Sequence, residues 1–246
     1  MVKLLEPRSN SLIPHLAMKQ FKDRVNWPTA KIEARILREL SHKNIIKMDS
    51  LYKHRDKVYL LLEYFDAPNL SEVIRQRKGQ SFEEGVVCRI IKQLVEALAH
   101  CHQRGIYHLD VKPENILVNE QWRIKLIDFA FSVKMVDQSK IKKYCGTPTY
   151  MAPEILKKES YYPQKADSWS VGIVAFRLFT GKAPFKGKKA EEILEKVNEY
   201  SLDKTLLKHA SKEFKEFLNK TMRRNHENRF SMKELLNLPF LKNCSV

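Results

Sequence analysis

The sequence has little glycine, little cysteine and comparatively few acidic side chains. Seven of its 246 residues are Gly, and none precedes Gly79. No low-complexity linker divides the chain, and no repeat with a period of tens of residues runs through it. The four cysteines, Cys88, Cys101, Cys145 and Cys244, form no Cys-x-x-Cys pair. That argues against a disulfide scaffold or a zinc site and fits a reducing compartment, so the expected location is cytoplasmic, nuclear or both. Long apolar runs are missing as well. Val58 to Leu62 and Val171 to Phe176 fall far short of the ~20 residues of a membrane span. Met1-Val2-Lys3-Leu4-Leu5 has neither the apolar stretch nor the cleavage site of a secretory signal. Acidic residues number 29 against 45 Lys and Arg, a formal net charge of +16. Such a balance favours polyanionic partners (nucleotide, acidic protein, nucleic acid or anionic membrane) without choosing among them.

What is present is enough apolar mass for a sizeable core, 43% of the chain, which argues against wholesale disorder. The length suits one large domain or two small lobes. His15 to Phe21 reads as a strand, and Val58 to Leu62 as a buried strand. Ile32, Ile36, Leu37 and Leu40 recur at helical spacing. From about Ser71 the chain turns mostly helical. Ser81-Phe82-Glu83-Glu84 has the form of a capping box, and so has Ser231-Met232-Lys233-Glu234. Val86, Val87, Ile90, Ile91, Leu94, Val95 and Leu98 make one broad apolar face. Trp169 to Thr180 is apolar nearly all round, a buried helix that Gly181 would stop. The expectation is a small strand-rich lobe followed by a larger helical one.

Chemistry concentrates in one ordered set. His108-Leu109-Asp110-Val111-Lys112-Pro113-Glu114-Asn115 comes first, and Asp128-Phe129-Ala130 follows thirteen residues after Asn115. Gly146-Thr147-Pro148-Thr149-Tyr150-Met151-Ala152-Pro153-Glu154, Asp167-Ser168-Trp169-Ser170-Val171-Gly172 and Arg229 complete it. Any one triplet is a weak signal. Five motifs in this order and spacing resemble the eukaryotic protein kinase family, over about Met1 to Leu241.

The resemblance implies an α+β, two-lobe kinase-like fold, with a small antiparallel-sheet N-lobe carrying one helix and a larger, mainly helical C-lobe. The kinase unit would be residues 1–241, with 1–65 as a partial N-lobe and hinge, 66–241 as the C-lobe and 242–246 as a short tail. It implies an ATP- and magnesium-dependent Ser/Thr protein kinase. Asp110 would orient the substrate hydroxyl and take its proton, and Lys112 would steady the γ-phosphate. Asn115 and Asp128 would hold magnesium, a hard cation suited to oxygen donors. Lys19, in Leu16-Ala17-Met18-Lys19, would bind the α- and β-phosphates while paired with Glu33. Leu62 as gatekeeper, Glu63 and Phe65 in the hinge, Ala17 and Leu117 complete the expected ATP-binding set. Leu37, Met48, His108 and Phe129 would stack as a column tying the lobes together. Thr147 belongs to the activation segment, which an ion pair between Glu154 and Arg229 would brace. The group most resembled is the calcium/calmodulin-kinase-like or AMP-kinase-like kinases.

Four departures qualify the resemblance. The last glycine of the family's Gly-rich loop would lie about seventeen residues before Lys19, at Val2, where no glycine occurs. The chain is therefore expected to begin inside the family's second strand and to bind nucleotide more weakly. Leu109 stands where an Arg normally reads an activation-segment phosphate, and Lys143 stands at the usual phosphosite. Activity is expected not to depend on that phosphorylation, with Ser139 and Thr149 left as modification sites. Ala130 replaces a Gly without touching the magnesium ligand. Asn69 and Arg177 stand where Arg-directed kinases carry acids, and only Glu114 keeps one. Lys140, Lys142, Lys143, Lys157, Lys158, Lys186, Lys188 and Lys189 would rim the cleft and attract acidic protein substrates. A catalytically weak or inactive kinase-fold scaffold is the alternative. A nucleic-acid binder has only positive charge in its favour. The remaining expectations are a monomer with no specific nucleic-acid or membrane partner.

Overall fold

The computed structural model describes residues 2–5, 15–21, 27–55, 57–137, 139–187, 189–199 and 205–244. Lys188, one of the expected rim lysines, lies outside the described residues, as do Met1 and the last two residues of the tail.

The N-lobe is a four-stranded antiparallel sheet and one helix. Strands β1 (Val2–Leu5), β2 (Leu16–Phe21), β3 (Met48–His54) and β4 (Lys57–Glu63) stand in the order β1-β2-β4-β3. The register places Ala17 opposite Leu62 and Lys19 opposite Leu60. Val58, Leu60 and Leu62 alternate inward along β4, the period-two pattern of a half-buried strand. Helix α1 (Trp27–Arg38) carries Pro28 in its first turn, where a missing N–H costs nothing. It buries Ala30, Glu33, Ala34, Ile36 and Leu37. Ile32 belongs to the helix but points outward, and Leu40 is buried just beyond its end. The apolar stripe is therefore narrower than the spacing suggested, because Glu33 occupies part of the inward face.

The C-lobe is built on helices α2 (Leu70–Gln76), α3 (Glu84–His102), α4 (Pro153–Leu156), α5 (Pro163–Thr180), α6 (Ala190–Glu199), α7 (Lys212–Thr221), α8 (Met232–Leu236) and α9 (Pro239–Lys242). Two short two-stranded antiparallel ladders, β5 (Ile106–Tyr107) with β8 (Val133–Lys134) and β6 (Ile116–Val118) with β7 (Ile124–Leu126), carry the loops of the site. Helix α5 is buried nearly all round, with Trp169 and Val174 fully covered. It ends at Gly181, whose φ of 69° and N–H bond to the Arg177 carbonyl form a left-handed cap. A Cβ there would meet the Gly79 carbonyl oxygen at 2.2 Å, so the close approach also requires glycine.

One of the two expected capping boxes is present. Ser231 accepts from the Glu234 N–H, and the Glu234 carboxylate accepts from Ser231 N–H, starting α8. The box expected at Ser81 does not form. Helix α3 starts later, with Glu83 as its extended cap residue and no side-chain cap bond. The reason is tertiary. The Phe82 N–H donates to the Leu178 carbonyl of α5 at 3.0 Å and its ring is buried, which holds the segment extended. The Glu84 carboxylate is used elsewhere, accepting from Ser211 N–H and hydroxyl at the start of α7.

Candidate active site

The site lies where β2, α1 and the loops around β6 and β7 meet. Lys19 Nζ donates to both Glu33 oxygens at 2.8 Å and to Asp128 Oδ1 at 2.8 Å. All three of its N–H donors are thereby used. Glu33 is 1% exposed in its side chain and Asp128 41%, so the bond to Asp128 is the one open to exchange. Burial would lower the Lys19 ammonium, but Glu33 and Asp128 outweigh it and hold it above its ordinary value. Burial would raise the Asp128 carboxyl, yet the Lys19 charge and hydrogen bond pull it below. Glu33 goes the other way. Its burial is nearly complete, and the shared Lys19 does not make up the lost hydration, so its carboxyl is pushed up. Two carboxylates around one ammonium leave a surplus negative charge, the electrostatic condition for a cation.

The second half of the site hangs on the loop after β5. Asp110 Oδ2 is 2.8 Å from Lys112 Nζ and accepts from Asn115 Nδ2 at 3.0 Å. Asp110 Oδ1 accepts from the Thr147 hydroxyl at 2.8 Å, and Lys112 Nζ donates to Thr147 Oγ1 at 2.7 Å. Thr147, expected only within the activation segment, is thus joined directly to Asp110. The second Asn115 Nδ2 bond goes to the Asp110 carbonyl at 2.9 Å. With its amide nitrogen committed, the Asn115 side chain has its oxygen left for a ligand. Among the described residues no group of three or more His, Cys, Asp and Glu forms a metal cluster. Asn115 and Asp128 supply two hard oxygen donors, which fits a magnesium whose other ligands are phosphate oxygens and water.

Buried groups keep this loop in an uncommon conformation. Leu109 has φ of 63°, which costs a non-glycine residue about 1–3 kcal/mol and persists only when its surroundings over-determine it. Asp167, 0% exposed in its side chain, supplies the determination. Its carboxylate accepts from Leu109 N–H at 2.8 Å, His108 N–H at 3.0 Å and His102 Nε2 at 2.8 Å. Asp167 stood in a motif already evident in the sequence, whereas His102 had no signal of its own. His108 Nδ1 accepts from Asp110 N–H, so its Nε2 carries the proton and donates to the Ile127 carbonyl at 3.1 Å. The His108 ring packs edge-on to Phe129 at 4.8 Å, both fully buried. Leu37 is buried and Met48 half-buried in the same core.

The remaining expected residues fall as follows. Ala17 and Leu62 face each other across β2 and β4. Leu62 is buried and Phe65 half-buried. Leu117 sits on β6 and bridges to Asn69, the residue that caps α2. Glu63 accepts from Lys47 N–H at 2.7 Å and pairs with Lys125 at 2.6 Å, a cross-lobe tie that the sequence did not announce. Arg229 and Glu154 form a bidentate pair at 2.8 and 3.1 Å. Lys143 Nζ donates to the Phe131 carbonyl at 2.7 Å, and Arg177 donates to the Tyr150 hydroxyl. Burial pushes the Tyr150 hydroxyl up to about 12, against the opposing Arg177 charge.

The protein kinase domain model matches residues 9–241. The chain belongs to the protein kinase family. It is 36% identical over 86% of its length to calcium-dependent protein kinase 5 of Plasmodium falciparum, covering 37% of that protein. It is 35% identical over 85% of its length to CBL-interacting protein kinase 19 of Oryza sativa subsp. japonica, covering 41% of it. Sperm motility kinase 3A of Mus musculus is 31% identical over 98% of this chain, which covers 47% of that relative. The chain therefore spans less than half the length of these relatives. The two-lobe arrangement, with its small antiparallel sheet and larger helical part, is the fold expected for the family. Among the described residues, no helix is long and apolar enough to cross a membrane.

Proposed function

We propose that this chain is an ATP- and magnesium-dependent Ser/Thr protein kinase domain acting on acidic protein substrates. The observation that carries the reading is the convergence of Lys19, Glu33 and Asp128 beside the Asp110, Lys112, Asn115 and Thr147 cluster. In this reading Lys19 exchanges its Asp128 bond for a phosphate oxygen while Glu33 keeps the ammonium in place. Asn115 and Asp128 hold magnesium, which neutralises phosphate charge when bound. Asp110 exchanges the Thr147 hydroxyl for that of the substrate and receives its proton, with Lys112 beside it. Ala17, Leu62 and Leu117 enclose adenine, and Glu63 and Phe65 lie in the hinge that receives it.

Two features support the finer parts. Lys143 ties itself to the Phe131 carbonyl and its own carbonyl accepts from the Tyr161 hydroxyl at 2.8 Å. The activation segment thus has an internal strut where a phosphate would otherwise act. Arg177, bonded to Tyr150 beside the segment, adds a cation where an Arg-directed kinase would need an acid.

Transfer of labelled γ-phosphate to acidic and basic protein substrates tests the proposal, with Asp110→Asn in parallel. Phosphate on Ser or Thr should appear with the acidic substrates and fall by about 10²–10⁴ in the variant. Nucleotide binding without transfer would instead favour the scaffold reading.

A further inference from the structure

Beside the activation segment lies a recess of about 310 Å³, lined by Lys142, Lys143, Tyr144, Ile155, Lys158 and Glu159. We propose that this recess binds an anionic side chain of the substrate, phosphorylated or carboxylate, a few residues from the hydroxyl to be phosphorylated. The proposal rests on the kinase reading above and specifies how that site selects its substrate.

The walls come from two segments held rigidly together. Ile141 and Tyr161 exchange backbone bonds of 2.9 Å in each direction, an isolated bridge that fixes the segment from Lys142 to Tyr144 against the loop after α4. On the other side, Lys158 has φ of 59°, a conformation that a lysine adopts only when held there. Its N–H donates to the Ile155 carbonyl at 2.9 Å, and the next N–H, of Glu159, donates to the Glu154 carbonyl at 3.0 Å. The turn brings Lys158 Nζ to 5.7 Å from the Tyr144 ring centre. Tyr144 is nevertheless 49% exposed, an aromatic face available at the mouth.

Charge identifies the occupant. Among the described residues, none of the three lysines has a carboxylate within ion-pair distance. Lys143 is committed to the Phe131 carbonyl through one of its three N–H groups, which leaves it two donors. Glu159 also lines the recess and opposes an anion, but the ammonium groups outnumber it three to one. Like charges gathered around a concave surface are relieved most by a compact anion with several acceptor oxygens. A phosphoryl group, with ≈ −1.5 to −2 charges and three such oxygens, suits this better than a carboxylate. The volume would hold about ten waters, enough for a phosphorylated side chain without the rest of the peptide.

Position relates the recess to the reaction. Tyr144 precedes Thr147 by three residues, and Thr147 Oγ1 is 2.8 Å from Asp110 Oδ1. At about 3.5 Å per extended residue, the recess lies within about four peptide residues of a hydroxyl placed at Asp110.

The test is a peptide series with one target serine and a phosphoserine, Asp or Ser moved through each of the four positions on either side. One position should give a rise in kcat/KM of about ten-fold or more for phosphoserine over Ser, with a smaller rise for Asp. The Lys142→Ala/Lys158→Ala variant should bring the ratio to about one. A rise equally large at every position, or one that persists in the variant, would refute the pocket and leave only diffuse attraction. Fluorescence anisotropy of the labelled phosphopeptide and its Ser counterpart, on wild type and variant, reads binding without catalysis. A preference for the phosphopeptide that the variant abolishes, in a protein that transfers no phosphate, would uphold the pocket and refute the kinase reading. Equal binding of the two peptides to wild type would refute the pocket alone.

Discussion

Replacing Arg229 with Met removes the most deeply buried Lys or Arg among the described residues. The Arg229 side chain is 0% exposed and Glu154 is 2%. The guanidinium donates to both Glu154 oxygens at 2.8 and 3.1 Å, to Arg223 O from Nε at 3.0 Å and Nη2 at 2.8 Å, and to Lys165 O at 2.7 Å. Met fills much of the volume but satisfies none of these acceptors. Stranding one member of a buried pair costs about 3–5 kcal/mol, because the surviving charge cannot regain its hydration. The two carbonyls left without their donor add to this, although not additively. A loss of about 4 kcal/mol or more is expected, a large part of the ~5–15 kcal/mol that a folded domain possesses. At about 2–4 °C per kcal/mol for a chain of this size, Tm should fall by roughly 8–16 °C. Urea unfolding measures the loss directly. A second arm removes both charges, as Arg229→Met/Glu154→Leu. Because no lone carboxylate then remains, this double variant should be more stable than the sum of its single changes by about 2 kcal/mol. A single-variant loss below about 1 kcal/mol, or simple additivity in the cycle, would refute the account of Glu154 as a charge kept in place by Arg229.

Three further outcomes follow from the same geometry. Lys143→Met should lower kcat/KM several-fold and Lys143→Arg should restore it, while phosphatase treatment leaves wild type unchanged; a wild type inactivated by phosphatase would refute the strut. Gly146 has φ of 106°, and a Cβ there would meet the Leu109 carbonyl oxygen at 2.7 Å. Gly146→Ala should therefore disturb the Thr147 contact with Asp110 and reduce transfer more than ten-fold, and an activity within two-fold of wild type would contradict that. Hydrogen bonds from the Ser231 hydroxyl and N–H hold the Glu234 carboxyl below its usual 4.5. Its stabilising contribution is complete above that value and is lost as pH falls through the lower folded-state value. Glu234→Gln should thus be less stable than wild type near pH 7, and the gap should narrow as pH falls below 4.5 in urea titrations.

Much of this protein was determined by short-range order in its sequence. The loop from His108 to Asn115 has its parts within a few residues, so its resemblance to the kinase motif was enough to single out Asp110, Lys112 and Asn115, which the structure brings together. The strand Leu16–Phe21 and the buried helix ending at Gly181 were likewise legible from period and punctuation. Other features were set by groups far apart in the chain, which no local pattern encodes. The capping box at Ser81 lost to a backbone bond from Phe82 to Leu178, because a buried tertiary contact outweighs a cap worth about 1 kcal/mol. Thr147 reached Asp110 across 37 residues, and Lys19 reached Asp128 across 109. The lysine recess needed a turn after α4 to fold back over Tyr144. Local sequence determined which residue types were available and which elements they form. Only packing decided which donors met which acceptors, because a buried polar group takes the partner that the fold brings within bonding distance.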